Sequence, residues 1–224
     1  DLLPERAAYV NLGLSQRLGE LVSVDLQGFY KSLDRLVVAA DRADLDAVPY
    51  DNSGSGSIIG GEALVRLQSS VVDAWVAYTL SRSLRVDGPG QPERLFSLDQ
   101  THVLSLVCGV QLGAGWRVGT RVRYATGNPY TPLEPAYFDA GADVWVPRAA
   151  GEPLSARSDA FFQLDLRVDK TWLFDAWRLD LYLELNNATN RANIEAIRYS
   201  DDYRRRDDIT SLPLTPSLGI RGSF

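Results

Sequence analysis

The sequence predicts an all-β fold, a segment of a transmembrane antiparallel β-barrel, on three observations. Apolar and polar residues alternate with a period of two along one segment after another. The connections between these segments are short and long by turns. The chain closes on an alternating stretch that ends in Phe224. A period of two sends successive side chains to opposite faces of a strand, so each segment has one apolar face and one polar face.

The cleanest alternation opposes Phe162, Leu164, Leu166 and Val168 to Gln163, Asp165, Arg167 and Asp169. From Trp177, Leu179, Leu181, Leu183 and Leu185 alternate with Arg178, Asp180, Tyr182, Glu184 and Asn186. From Trp116, Val118, Thr120, Val122 and Tyr124 alternate with Arg117, Gly119, Arg121 and Arg123. Stretches 8–18, 21–32, 59–68, 72–82, 102–112 and 218–224 follow with more noise, which makes nine strand candidates. A tenth hidden in 34–57 or 193–200 would make the number even.

Short connections fall at Gly19-Glu20, Ser69-Ser70, Gly113-Ala114-Gly115 and Phe174-Asp175. Long ones run over about 34–57, 83–99, 126–158 and 187–216. Short turns at one end and long loops at the other are the layout of an outer-membrane barrel, with periplasmic turns and extracellular loops. Trp116, Trp172 and Trp177 adjoin short turns, and Tyr30 and Tyr124 stand at the far ends of their strands, as interfacial aromatic girdles require. Trp75 lies near a short turn, but strict alternation points it inward. A soluble sandwich with aromatic core ends is the competing reading. A polar face this rich in charges of both signs suits a wet lumen better.

Composition sets further bounds. The chain has 224 residues, 45% apolar and 23% charged, which excludes a disordered chain. No apolar run approaches the ~20 residues of a transmembrane helix. A mean hydropathy of −0.15 is what an apolar outer face and a charged lumen average to. The net charge of −6 argues against nucleic acid as a partner. The sequence holds no methionine and opens on no basic-apolar leader, so a mature, trimmed or partial chain is expected.

No catalytic set assembles, and neither an enzyme nor a cofactor is expected. Cys108 and His102 are the only cysteine and histidine, which excludes an internal disulfide and a zinc site of several such ligands. On one strand they stand roughly 20 Å apart, too far for a dyad. Cys108 reads as a lipid-facing thiol and His102 as a rim residue. No serine sits in a nucleophile elbow. Gly54, Gly56, Gly60 and Gly61 lack the phosphate-loop spacing. Asp41, Asp44, Asp46 and Asp51 are oxygen donors without the pattern of a dedicated calcium loop.

The long loops hold the candidate binding residues. Arg204, Arg205 and Arg206 stand among Asp201, Asp202, Asp207 and Asp208. They read either as a solvated face toward anionic lipopolysaccharide or as a clamp for an anionic ligand, since arginine matches carboxylates and phosphates. Tyr130, Tyr137, Phe138 and Trp145 form an aromatic group that either stacks on a ligand or packs its loop on itself. The charges on the polar strand faces read as a ladder fastening strands together.

Residues 217–224, SLGIRGSF, resemble the C-terminal signal read by the outer-membrane barrel assembly machinery. Ser217, Gly219 and Phe224 fall on its pattern, and Gly222 departs from it. With "LPERAAYVNLGLSQRLGELVSVDLQGFYKSLDRLVV", "FSLDQTHVLSLVCGVQLGAGWRVGTRVRYATGNPYTP" and "LYLELNNATNRAN" in order, nearly the whole chain resembles the C-terminal barrel portion of TonB-dependent outer-membrane receptors. The resemblance implies an outer-membrane barrel of about 22 strands filled by an N-terminal plug, of which this chain supplies 9–10 strands and no plug. It implies active transport of a siderophore, cobalamin or similar ligand with TonB-derived energy. The partners it implies are the rest of the barrel and plug, the TonB complex, the assembly machinery, outer-membrane lipid and a small-molecule ligand. Tyr130, Tyr137, Trp145, Arg204, Arg205 and Arg206 are its expected ligand contacts. A self-contained small barrel with an adhesive or structural role is the alternative.

Overall fold

A computed structural model describes residues 2–39 and 50–224. Its first strands are β1 (Arg6–Leu18), β2 (Val22–Ala39), β3 (Tyr50–Gln68), β4 (Val72–Val86), β5 (Arg94–Leu95), β6 (His102–Gly113) and β7 (Trp116–Ala125). In the next long connection lie β8 (Pro129–Tyr130), β9 (Leu133–Asp139), β10 (Val144–Ala149) and β11 (Ala156–Arg157). The chain continues with β12 (Phe161–Leu173), β13 (Arg178–Asn186), β14 (Ile194–Tyr199), β15 (Arg206–Thr210) and β16 (Thr215–Ser223).

One antiparallel sheet dominates, in the order β1-β2-β3-β4-β6-β7-β12-β13-β16, with the short β5 on β4 as a tenth strand. The nine strands of this path are the nine alternating segments. The register carries the alternation across the sheet. Leu164, Val122, Leu106, Val76, Val65 and Val24 form one continuous cross-strand row. The next row is Asp165, Arg121, Val107, Trp75, Arg66 and Ser23, so Trp75 stands on the charged face. A slip of one residue in any pairing would swap the faces of that strand, so the rows fix the register.

This sheet has no apolar core of its own. Among the described residues the buried hydrophobics are Leu33 and Ala136, while Leu12 is 83% exposed, Leu218 71% and Ile220 73%. A layer of secondary structure is stable only with its apolar face covered, and nothing among the described residues covers this one. Hydrocarbon is the medium that such a face suits. At ~3.3 Å per residue the 19-residue β3 spans ~63 Å, well beyond the 9–11 residues that cross a bilayer. β2 and β3 therefore run on well past the length of a bilayer crossing as one paired ladder, where a loop was expected.

The turn end is aromatic. Phe174 stacks on Trp177 at 4.4 Å and Trp177 faces Phe224 at 6.2 Å, between ring centroids. The Lys170 ammonium stands over Trp116 and Trp172 at 5.1 and 5.4 Å. The β6–β7 turn takes positive φ at Ala114 and Gly115, as a tight hairpin turn does, and a Cβ at Gly115 would meet the Thr171 carbonyl oxygen at 2.1 Å.

At the other end the long connections are built rather than irregular. β9 pairs with β10, β8 with β11 and β14 with β15. The 193–200 stretch thus holds a strand, but in a loop hairpin and not in the wall.

β1 and β16 each have one neighbour, so the described residues form an open sheet with two free edges. Gly219 in β16 faces the lumen opposite Tyr182. A Cβ there would stand 2.1 Å from the tyrosine ring, which also carries the Arg167 guanidinium at 4.0 Å. Gly219→Val is expected to expel Tyr182 and cost about 1–3 kcal/mol, the range of an overpacked site. A lowered urea midpoint of the detergent-folded protein measures it; an unchanged midpoint would mean that the ring has another place to go.

Candidate functional site

The lumen face carries a set of ion pairs, some within a strand and some between strands. Arg66 pairs with Asp25 at 2.7 Å, Arg117 with Asp73 at 2.7 Å and Arg178 with Asp180 at 2.8 Å. Arg167 bridges Asp169 at 2.7 Å and Glu184 at 3.1 Å. Most of these side chains are half exposed, so each pair contributes little by itself. Asp165 is the buried one, held by Arg121 at 2.7 Å.

Higher up, β4, β6 and the loop after β7 meet at Asp99, which is 2% exposed. Its carboxylate accepts from the Ser83 N–H at 2.7 Å and the Thr101 hydroxyl at 3.2 Å, and pairs with Arg157 of β11. The same guanidinium donates to the Asp99 and Gly127 carbonyls at 2.9 and 3.0 Å. Arg157 thereby ties the β8–β11 ladder to the wall. Ala156 of that ladder faces Tyr130.

Tyr130 leads to the arginine-rich hairpin. The Arg206 guanidinium donates to the Tyr130 hydroxyl at 2.8 Å and lies 5.0 Å from its ring. It also donates to Asp208 at 2.8 Å, and that bond, with help from Tyr130, raises its pKa. The Ala136 N–H donates to the Asp202 carbonyl at 3.1 Å, a second tie between the two loops. Asp202 has a lowered pKa because the Ser200 hydroxyl, and then the Arg204 N–H, donate to its carboxylate.

The structure brings only part of the expected set together. Tyr130 and Arg206 touch. Arg204 reaches Asp202 at 3.7 Å, and the Arg205 N–H donates to Ser200 Oγ at 3.0 Å. Two of the three arginines are thus neutralised by carboxylates of their own hairpin. Phe138 packs edge-on against Trp145 at 5.2 Å, while Tyr137, on the opposite face of that hairpin, carries the Arg148 guanidinium at 4.9 Å.

The remaining candidates resolve simply. His102 Nδ1 is hydrogen-bonded to the Tyr78 hydroxyl at 2.8 Å at the outer rim. Cys108 faces outward between Thr120 and Ala74. Asp41, Asp44 and Asp46 lie outside the described residues, and Asp51 accepts from the Ser53 hydroxyl and N–H at 2.6 and 2.9 Å. Among the described residues no group of three or more His, Cys, Asp or Glu is placed to hold a metal ion.

Three positions escaped the sequence reading. Asp99 and Arg157 are 58 residues apart, and only the fold brings them together. Asn193 is 2% exposed and hydrogen-bonds both backbone groups of Phe162 at 2.9 Å. It closes the asparagine-rich stretch LYLELNNATNRAN.

No family model matches this chain, and no curated protein matches it. Solved structures do. The FrpB iron transporter from Neisseria meningitidis superposes with a TM-score of 0.65 at 15% identity, over 97% of this chain and 31% of that one. The ferric-catecholate import receptor Fiu from E. coli K12 gives 0.67 at 15% identity, over 99% and 28%. The ferripyoverdine receptor of the outer membrane of Pseudomonas aeruginosa gives 0.63 at 14% identity, over 97% and 27%. All are TonB-dependent outer-membrane receptors. The fold of this chain is that of a section of such a barrel, and it spans less than a third of their length.

Proposed function

We propose that this chain is the C-terminal part of the barrel of a TonB-dependent receptor in the bacterial outer membrane. In this reading it supplies wall and outer loops of a transporter that captures a scarce ligand and passes it inward with TonB-derived energy. One observation carries the reading: a coreless sheet whose register holds an apolar row and a charged row apart across six strands. Such a sheet belongs between hydrocarbon and water.

The two free edges support a place within a larger ring. Unpaired backbone groups cost several kcal/mol each in hydrocarbon, and β1 and β16 leave whole rows of them. A self-contained small barrel would have to close those edges on each other. The missing strands, a plug and the TonB complex are the proposed partners, with the assembly machinery reading Gly219 and Phe224 and lipopolysaccharide around the outer rim. The similar structures are an iron transporter, a ferric-catecholate import receptor and a ferripyoverdine receptor, which favours a ferric siderophore as ligand. Tyr130 and Arg206, already in contact, are the proposed core of the ligand-facing loops, with Tyr137, Trp145, Arg204 and Arg205 around them.

The membrane placement has a sharp test. Leu183 faces outward and Ser217 inward on neighbouring strands. Leu183→Arg is expected to cost about 2–4 kcal/mol if that position lies at the bilayer midplane. Ser217→Arg, opposite Glu184, is expected to be nearly neutral. Urea midpoints in lipid vesicles measure both, and equal effects would sink the membrane reading. For transport, uptake of radiolabelled ferric siderophore by cells carrying the full-length protein is expected to stop when the proton gradient is collapsed. Uptake that survives the collapse, or no uptake of any ferric siderophore, would count against it.

A further inference from the structure

The lumenal arginines are not equivalent. Arg66, Arg117, Arg121, Arg167 and Arg178 each pair with a carboxylate. Arg123, on the same face of β7, pairs with none among the described residues, and its Nε is buried without a hydrogen-bond partner. A buried donor left unmade costs the full desolvation of the group, so an orphan of this kind calls for an acceptor.

The surroundings fix the rest of the side chain. Its Nη2 donates to Gln163 Oε1 at 2.7 Å. Gln163 cannot turn away, because its amide nitrogen donates to Asp165 at 2.7 Å. Asp165 is in turn engaged by Arg121 and by the Asn187 N–H, so it has nothing to spare for Arg123. The Phe161 ring stands 5.4 Å from the guanidinium carbon. The group borders a recess of about 370 Å³ at the outer mouth of the lumen, walled also by Ser105, Asn128, Ser158 and Glu195. Glu195 forms no ion pair with it.

We propose that Arg123 anchors a carboxylate-binding subsite at the outer mouth of the lumen, facing the ligand's path. A planar guanidinium held at Nη2 by Gln163, with a buried Nε that has no acceptor of its own, is arranged for a planar oxyanion. The recess has room for a small molecule bearing one, and the Phe161 ring supplies an apolar wall beside it. The ligand class is thus a small molecule with a free carboxylate. This rests on the receptor reading only in that a small molecule reaches the lumen from outside.

The test is calorimetric titration of the full-length protein in detergent with malonate, against chloride at equal ionic strength. Saturable malonate binding is expected in the wild type. Arg123→Gln is expected to weaken it at least tenfold, and Arg123→Lys less, because an ammonium keeps the charge and loses the fork. A second variant guards against a folding defect. Ser105 is the cross-strand partner of Arg123, so Ser105→Glu places a carboxylate beside the guanidinium and is expected to abolish malonate binding. No saturable binding by the wild type overturns the subsite and points to an acceptor supplied by the polypeptide itself. Equal binding by wild type, Arg123→Gln and Ser105→Glu overturns it as well. Malonate binding without energised uptake would keep the subsite and sink the transport reading; uptake without malonate binding would do the reverse.

Discussion

Asp165→Ala is expected to destabilise the barrel wall by about 1–3 kcal/mol, the cost of leaving the buried Asn187 N–H without its acceptor. The carboxylate is 5% exposed and has three donors on it. Arg121 Nε donates at 2.8 Å, Gln163 Nε2 at 2.7 Å and the Asn187 N–H at 2.9 Å. These come from β7, from β12 itself and from the end of β13, so one side chain fastens three strands. Asn187 has φ of 51°, and its N–H would be left buried and unpaired. Arg121 is different, with a side chain 45% exposed to water. Arg121→Ala is therefore expected to cost within the 0–1 kcal/mol of an exposed pair. Urea midpoints of the two variants in detergent micelles make the comparison. A large loss for Asp165→Ala beside a small one for Arg121→Ala identifies the backbone tie as the main contribution. Equal losses would show that the ion pair is.

The wall was legible because its signal is strictly local. Each alternating segment reports its own two faces, and the nine segments pair in the order that short and long connections dictate. Trp75 was placed inward by phase alone, and the register agrees. The loops were less legible because their hairpins have no single apolar face. β9 reads LEPAYFD and β15 reads RDDIT, neither with a core to alternate against. The self-pairing of Arg206 with Asp208 was in reach, since residues two apart share a face of a strand. The Asp99–Arg157 contact was not, because nothing local marks two residues 58 positions apart. Arg123 shows the intermediate case. Three arginines on one face of β7 are plain in the sequence. Only the register shows that Arg117 reaches Asp73 and Arg121 reaches Asp165 while Arg123 faces Ser105 and Gln163.

Asn193→Leu is expected to cost about 1–3 kcal/mol, from two hydrogen bonds to the half-buried Phe162 backbone at roughly 0.5–1.5 kcal/mol each. β13 accompanies β12 only as far as the Leu185–Leu166 pair. Above that point the ladder is continued by other means. The Ala188 N–H donates to the Leu164 carbonyl at 2.7 Å. Two residues further, the Asn193 side chain takes the place of a strand residue: Oδ1 accepts from the Phe162 N–H and Nδ2 donates to the Phe162 carbonyl. Leucine keeps the branched shape and supplies neither bond. Asn193→Asp keeps the acceptor and loses the donor, so it is expected to cost about half as much. Amide exchange at Phe162 is the direct readout, accelerated strongly in the leucine variant and less in the aspartate one. A loss no larger than the 0.5 kcal/mol of an ordinary surface substitution would mean that Asn193 merely occupies the position. The damage is expected to stay at the outer end. The Asn193 carbonyl accepts from the Ser211 N–H at 2.8 Å and so holds the β14–β15 hairpin that carries Arg206. Loosening that hairpin separates Arg206 from Tyr130, so the variant is expected to lose that contact while its wall strands keep their exchange protection.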